Sequence, residues 1–226
     1  MINLRDSNSG FHVLIPAYNP DVSLVEIVAG LTGTPKLISI LIINDGSKSK
    51  ISAEIFSKCN EFEIVTIINH VTNSGKGAAL KTGFLHLHSN VASEDVITTA
   101  DADGQHLSSD IINISLASLE QNLIALGSRK FDVDVPLRSK LGNVVTRCVF
   151  RLFSGHKISD TQTGLRAYPS RFLGLLLELD GEGYEYEFEC LIVIVKKYFQ
   201  EIIEIPIQTI YANNNESSHF QPIRDS

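Results

Sequence analysis

The chain has 226 residues, 43 % of them hydrophobic and 20 % charged, and a net charge of −7. That length and apolar content suit one folded domain with a sizeable core and exclude a disordered chain. The acidic balance, with no basic run interleaved with aromatics, speaks against a nucleic-acid partner and against adhesion of the whole surface to anionic lipid. In chain order, Met1–Gly10 is polar and lacks the apolar centre of a signal peptide. His12–Ile15 predicts a strand ended by Pro16, and Ser23–Gly30 a helix with Ser23 and Glu26 spaced as a capping box. Ile38–Ile43 predicts a second strand, stopping at Asn44-Asp45-Gly46-Ser47, and Ser52–Cys59 a helix. Glu63–Ile68 follows as a strand, Gly77–Leu87 as a helix, and Val96–Ala100 as a strand ending at Asp101. Ser108–Leu119 is a predicted helix and Ile124–Leu126 a fifth strand. Continuous apolar strands separated by helices predict an α/β fold, with a mainly parallel central sheet covered by helices on both faces.

From about residue 136 the rhythm changes. Leu137–Phe153 predicts a long helix, Ser159–Thr163 a polar loop, Tyr184–Tyr198 a helix and Ile202–Ile207 a strand; the last stretch is polar and irregular. We read residues 1–226 as a single domain, with 11–130 a nucleotide-binding half, 131–210 an acceptor-side half and 211–226 an irregular tail. The longest apolar runs, Leu173–Leu177 and Leu191–Val195, fall far short of the roughly 20 residues that a membrane span needs, so the expectation is a soluble, cytoplasmic chain. Cys59, Cys148 and Cys190 form no CxxC pair and read as small core side chains.

Ligands of open α/β sheets bind at the carboxyl ends of the strands. Asp101 and Asp103 stand two residues apart just past a strand, where both carboxylates can converge on one hard cation. Mg²⁺ or Mn²⁺ there would neutralise a diphosphate leaving group, with Gln105 or His106 adding a contact. An Asp-rich turn that satisfies its own backbone amides is the bland alternative. Asp45, before Gly46, can accept from a base N–H or close an Asx turn. Asn73-Ser74-Gly75-Lys76-Gly77 precedes a helix and offers backbone and charge to phosphate, although it lacks the spacing of a Walker loop. His86 and His88 point to different helix faces, so metal binding by them is not expected; His12, His70 and His156 read as structural or surface residues. Glu185, Glu187 and Glu189 suit a helix start electrostatically, and one of them could also touch substrate.

Pro16-Ala17-Tyr18-Asn19, the Asn44–Ser47 and Asn73–Gly77 segments and Asp101-Ala102-Asp103-Gly104-Gln105-His106 occur in the order seen in inverting family 2 glycosyltransferases of the GT-A fold. The chain resembles their polyprenyl-phosphate sugar synthase branch, which includes dolichyl-phosphate mannose synthase. Gly127-Ser128-Arg129, Asp160–Arg166, Tyr184–Glu187, Glu204–Ile207 and Ser217–Phe220 extend the match from about residue 11 to the end. The resemblance implies that one sugar moves with inversion from a nucleotide-sugar donor, with Mg²⁺ or Mn²⁺ as cofactor. Asp45 would contact the base, with Pro16, Tyr18 and Asn19 lining its pocket; Lys76, Ala102 and Arg129 would complete the donor site. Asp101, Asp103 and Gln105 would hold the metal, and Asp160, Glu187 and Arg166 would stand at the reacting sugar or the acceptor charge. Asn44 departs from the pattern, because many relatives carry a second Asp there. The C-terminal membrane helices of many relatives are also missing before Ser226, which leads us to expect a soluble form or a piece of a longer protein.

A lipid-phosphate acceptor needs no strong base, whereas a sugar hydroxyl would need a carboxylate, first Asp160 and then Glu187. The predicted helix Leu137–Phe153 puts Leu141, Val145, Cys148 and Leu152 on one side, beside Lys140, Arg147 and Arg151, which suits peripheral contact with the cytoplasmic face of a membrane or simply a packed helix. The rival readings are transfer to a saccharide in surface-polysaccharide assembly, a sugar nucleotidyltransferase and a non-catalytic binding module. Nothing in the sequence names an oligomeric state.

Overall fold

The computed structural model describes residues 9–129 and 157–208. The predicted helix Leu137–Phe153 (with Cys148), His156 and the Ser217–Phe220 motif lie outside the described residues. The strands are β1 (Phe11–Ala17), β2 (Leu37–Asn44), β3 (Val65–Asn69), β4 (Val96–Thr99), β5 (Ile124–Arg129), β6 (Arg166–Pro169) and β7 (Ile202–Ile207). The helices are α1 (Ser23–Leu31), α2 (Lys50–Cys59), α3 (Lys76–His88), α4 (Ser108–Gln121), α5 (Leu173–Glu178) and α6 (Glu185–Tyr198). Among the described residues the strands form one sheet in the order β3-β2-β1-β4-β6-β5-β7, parallel except for β6, which is antiparallel to both of its neighbours.

Side chains alternate across a strand, and here both faces are covered, so both alternating sets are apolar. Val13, Ile15, Ile40 and Ile42 pack against Leu24, Val28 and Leu31 of α1, Ile55 and Cys59 of α2, and Ile111 and Ile114 of α4. On the opposite face Leu14, Leu41 and Ile43 meet Ala79, Leu80 and Phe84 of α3 together with Tyr186, Cys190 and Ile194 of α6. Cys59 and Cys190 are buried free thiols, as their apolar surroundings in the sequence suggest.

Several elements differ from expectation for identifiable reasons. β1 runs through Pro16 to Ala17. The Leu14 carbonyl accepts from Ala100 on the β4 side and the Ala17 carbonyl accepts from Asp45 on the β2 side. By the period of two, residue 16 faces the β4 side, where β4 has already ended, so a missing N–H breaks no ladder bond. Ser23 does not cap α1. Its backbone N–H donates 2.9 Å to Asp21 Oδ1, and no side-chain cap bond forms at the helix start. Ser49 does cap α2, its hydroxyl accepting from Ser52 N at 3.0 Å. β6 carries no sequence signal as a strand, because four residues are too short to show a period.

At the amino edge of the sheet, His12 sits 2.7 Å from Ser39 Oγ and 3.4 Å from Asp95, which also accepts from the Gly10 and Ala92 amides. Burial lowers the His12 pKa against the pull of Asp95. This network ties β1, β2 and the β4 entry together at the end of the sheet away from the candidate site, the structural role expected for His12.

Candidate active site

Parallel strands aim their carboxyl ends at one edge, and there the chain places Pro16–Asn19, Asn44–Ser47, Asp101–His106 and Arg129. The reversed β6 starts at that same edge, since Arg166 pairs with Thr99. It delivers the 158–165 loop to the end of β4, where Thr99 Oγ1 donates 2.8 Å to the Gly164 carbonyl. A Cβ on Gly164 would stand 2.7 Å from both Asp101 carboxylate oxygens, so only glycine lets this loop close over Asp101.

Lys76, the first residue of α3, lies at the centre. Its Nζ is 2.5 Å from Asp101 Oδ1 and 2.6 Å from Glu187 Oε2, with the Tyr184 ring 5.8 Å away. Burial opposes the lysine charge, but Asp101 and then Glu187 raise its pKa. Burial likewise opposes the Asp101 charge, and Lys76 and His106 overcome it, pulling this carboxyl down to about 2. Asp103 behaves in the opposite way: burial and the neighbouring Asp101 charge raise its pKa. Among the described residues its oxygens accept from Gln105, at 3.1 Å from the backbone N–H and 2.9 Å from the side-chain amide.

Three carboxylates, Asp101, Asp103 and Glu187, thus surround one ammonium, and among the described residues Asp103 forms no ion pair. Carboxylate oxygens with unbalanced charge match the hard-donor preference of Mg²⁺ and Mn²⁺. No set of three His, Cys, Asp or Glu side chains among the described residues closes around one point. Mg²⁺ is commonly bound through one or two carboxylates, with substrate phosphates and water completing its shell.

A second cluster surrounds Asp45, which is 3 % exposed. Its Oδ1 accepts from Ser74 N at 2.9 Å and faces His70 Nδ1 at 2.7 Å, and its Oδ2 accepts from Gly75 N at 2.9 Å. Asp45 thereby joins the ends of β2 and β3 to the loop that carries Lys76. From the other side, Gly77 N and Ala78 N donate to the Gly183 and Glu182 carbonyls. Gly75 sits at φ 97° with the Glu182 carbonyl 2.5 Å from any Cβ, so the loop requires glycine there. Asn44 acts as a stitch: its Nδ2 donates to Asn69 at 2.8 Å and its Oδ1 accepts from Ser47 N at 2.9 Å. Ser47 Oγ in turn accepts from Asn19 N, which fixes Asn19 at φ 48°. Tyr18 is 39 % exposed at this rim, and Pro16 and Ala102 are half-buried.

The remaining predicted residues are present but already engaged. Arg129 grips Asp160 with Nε at 2.5 Å from Oδ2 and an Nη at 3.0 Å from Oδ1, and Asp160 is 1 % exposed. Arg166 is 2 % exposed and donates to the Thr163 carbonyl at 3.0 Å and the Glu187 carbonyl at 2.6 Å. Burial opposes its charge, while Tyr168 and Glu187 raise its pKa. It ties the 158–165 loop to α6 and so sets where Glu187 meets Lys76. His70 is the member that sequence reasoning missed. Its position one residue past β3, level with Asp45 past β2, is the signal that could have found it.

The described strands form a sheet of the GT-A type, with carboxylates and a lysine at its carboxyl edge. Residues 12–164 match the family model "Glycosyl transferase family 2", and the chain belongs to that family. It is 34 % identical to the UDP-N-acetylglucosamine–dolichyl-phosphate N-acetylglucosaminyltransferase of Methanococcus voltae, over 88 % of this chain and 85 % of that protein. It is 27 % identical to the dolichyl-phosphate beta-glucosyltransferase of Saccharomyces cerevisiae, over 86 % of this chain and 65 % of that protein. The fold superposes, with a TM-score of 0.69 and 12 % identity, on glucosyl-3-phosphoglycerate synthase from Mycobacterium tuberculosis bound to Mn²⁺ and UDP, covering 91 % of this chain and 72 % of that one. The chain is a nucleotide-sugar-dependent glycosyltransferase of the branch that its sequence motifs suggest, and no helix of the described residues is long and apolar enough to cross a membrane.

Proposed function

We propose that the chain transfers one sugar, with inversion, from a nucleotide-sugar to a polyprenyl phosphate, using Mg²⁺ or Mn²⁺. The observation that carries the acceptor is the state of the candidate bases. Asp160 is held by Arg129, and Glu187 by Lys76. A carboxylate paired with a cation is a poor proton acceptor, so neither Asp160 nor Glu187 is a strong base for a sugar hydroxyl. A phosphate acceptor is already anionic and needs none. The dolichyl-phosphate acceptors in the names of the Methanococcus voltae and yeast relatives support the same reading.

In this mechanism Asp45 takes an N–H of the base, with Pro16, Tyr18 and Asn19 lining the pocket. Asp101 and Asp103 would hold the divalent ion, with Gln105 keeping Asp103 oriented. Bound there, the ion supplies charge neutralisation for the departing diphosphate. Lys76 sits where its ammonium can turn from Asp101 to that same developing charge. Arg129 and Asp160 act as a pair at the sugar and acceptor side, and Arg166 positions Glu187 and the loop around Gly164. Such an acceptor places catalysis at a bilayer surface, on the cytoplasmic side that holds the charged donor.

The test is transfer from UDP-N-acetylglucosamine and UDP-glucose to dolichyl phosphate and, separately, to free saccharides, with the product anomer read by NMR. An inverted glycosyl phosphate is expected. Transfer to a saccharide hydroxyl with none to the lipid phosphate overturns the acceptor, and a retained anomer overturns inversion.

A further inference from the structure

His70 stands between two polar groups. Its Nδ1 is 2.7 Å from Asp45 Oδ1 and its Nε2 is 2.9 Å from Thr82 Oγ1 on α3. A carboxylate only accepts, so the bond to Asp45 requires a proton on Nδ1. The Thr82 hydroxyl serves either form of the ring. It donates to Nε2 when the ring is neutral, and it accepts from Nε2 while donating to the Ala78 carbonyl, 3.0 Å away, when the ring is charged. In both forms Nδ1–H points at Asp45. His70 and Ser74 N then use both acceptor positions of Oδ1, and Gly75 N uses one of the two on Oδ2. Among the described residues one acceptor position of this buried carboxylate is left, on Oδ2, and 5 % of the side chain still reaches solvent.

We propose that His70 is a positioning residue for base selection: it locks the Asp45 carboxylate so that a single acceptor, on Oδ2, faces the donor base. The proposal rests on the reading of Asp45 as the base contact. A lone, fixed acceptor bonds a ring N–H, as in uracil or guanine, and repels the ring nitrogen lone pair that cytosine or adenine offers at the corresponding place. Because the site is buried, the wrong partner leaves two acceptors opposed, which is the condition for strong discrimination. Without His70, the Ser74 and Gly75 amides still hold the carboxylate, but Oδ1 regains an open acceptor position beside the one on Oδ2, so selectivity falls.

The experiment is calorimetric titration of the full chain, in Mn²⁺, with the diphosphates of uridine, guanosine, cytidine and adenosine. The parent should favour one of the first two over both of the others. His70→Leu should shrink that preference about tenfold, the scale of one hydrogen bond to a charged group. His70→Asn, whose amide reaches where Nδ1 was, should restore most of it. A loss of stability alone would lower all four affinities together and leave the preference unchanged. If the leucine variant does not fold, His70→Gln takes its place, because its amide extends toward Thr82 and not toward Asp45. Retained preference in His70→Leu, or in His70→Gln, with loss in Asp45→Ala overturns the role of His70 alone. Retained preference in Asp45→Ala, or no preference in the parent, overturns the reading of Asp45 itself.

Discussion

Asp101 and Asp103 are two residues apart, yet their surroundings push them in opposite directions. Asp101 is stabilised as an anion by Lys76 and His106, whereas Asp103 is destabilised by burial and by Asp101. The folded pKa of Asp101, about 2, lies below the unfolded value of roughly 3.9, so its contribution is present above that value and lost as pH falls toward 2. The folded pKa of Asp103 lies above its unfolded value, so ionisation costs stability, and that cost sets in as pH rises past the unfolded value. In metal-free protein at pH 7, Asp101→Asn should therefore lower stability by on the order of 1–2 kcal/mol, while Asp103→Asn should raise the melting temperature. Both variants should lose Mn²⁺ binding, read by electron paramagnetic resonance, and sugar transfer with it. Equal destabilisation by the two substitutions would contradict the asymmetry. Lys76 belongs to the same balance: Lys76→Met should slow transfer at least tenfold, the scale of one lost charge contact in a transition state, with donor KM changed less than kcat.

At the scale of elements, the loop between β3 and α3 is held at both ends, by Asp45 and by the Glu182 and Gly183 carbonyls. Its geometry depends on Gly75 having no side chain. Gly75→Ala would place a Cβ 2.5 Å from the Glu182 carbonyl at a φ of 97°, so it should destabilise by roughly 1–3 kcal/mol and displace Lys76. Both stability and kcat should fall. Ser49→Ala provides the contrast, because the Ser49 hydroxyl bonds Ser52 at the start of α2 and reaches Asn19 only through the long 3.4 Å contact from Ser52 Oγ. It should cost about 1 kcal/mol in urea unfolding and leave kcat and KM where they were. A kcat change in Ser49→Ala, or none in Gly75→Ala, would show that the two helix starts are not functionally distinct.

For the whole molecule, the candidate site lies across the ends of β1, β2, β4 and β5 and the start of β6, so a donor bound there would brace most of the sheet. A ligand at 100 times its Kd adds about 2.7 kcal/mol, which for a domain of this size raises the melting temperature by roughly 5–10 °C. Nucleoside diphosphate with Mn²⁺ should give such a shift and EDTA should remove it; a shift that survives EDTA would show binding without the metal.

The sequence by itself determined most of the strands and helices and which residues stand at the carboxyl ends of β1, β2 and β4. Apolar periodicity is local, and a parallel sheet sends every strand end to one edge, so the placing of Asp45, Asp101 and Asp103 together at that edge was legible before any coordinates. Only the tertiary structure decided their partners. Lys76 meets Glu187 across more than a hundred residues, Arg129 meets Asp160 across 31, and His70 meets Asp45 across 25. The reversed β6, which brings Gly164 and Arg166 to the end of β4, was equally invisible. The physical reason is common to all four. A periodic pattern reports which face of its own element is buried, whereas an ion pair or a short inserted strand depends on where separate elements converge, and that is set by packing of the entire core.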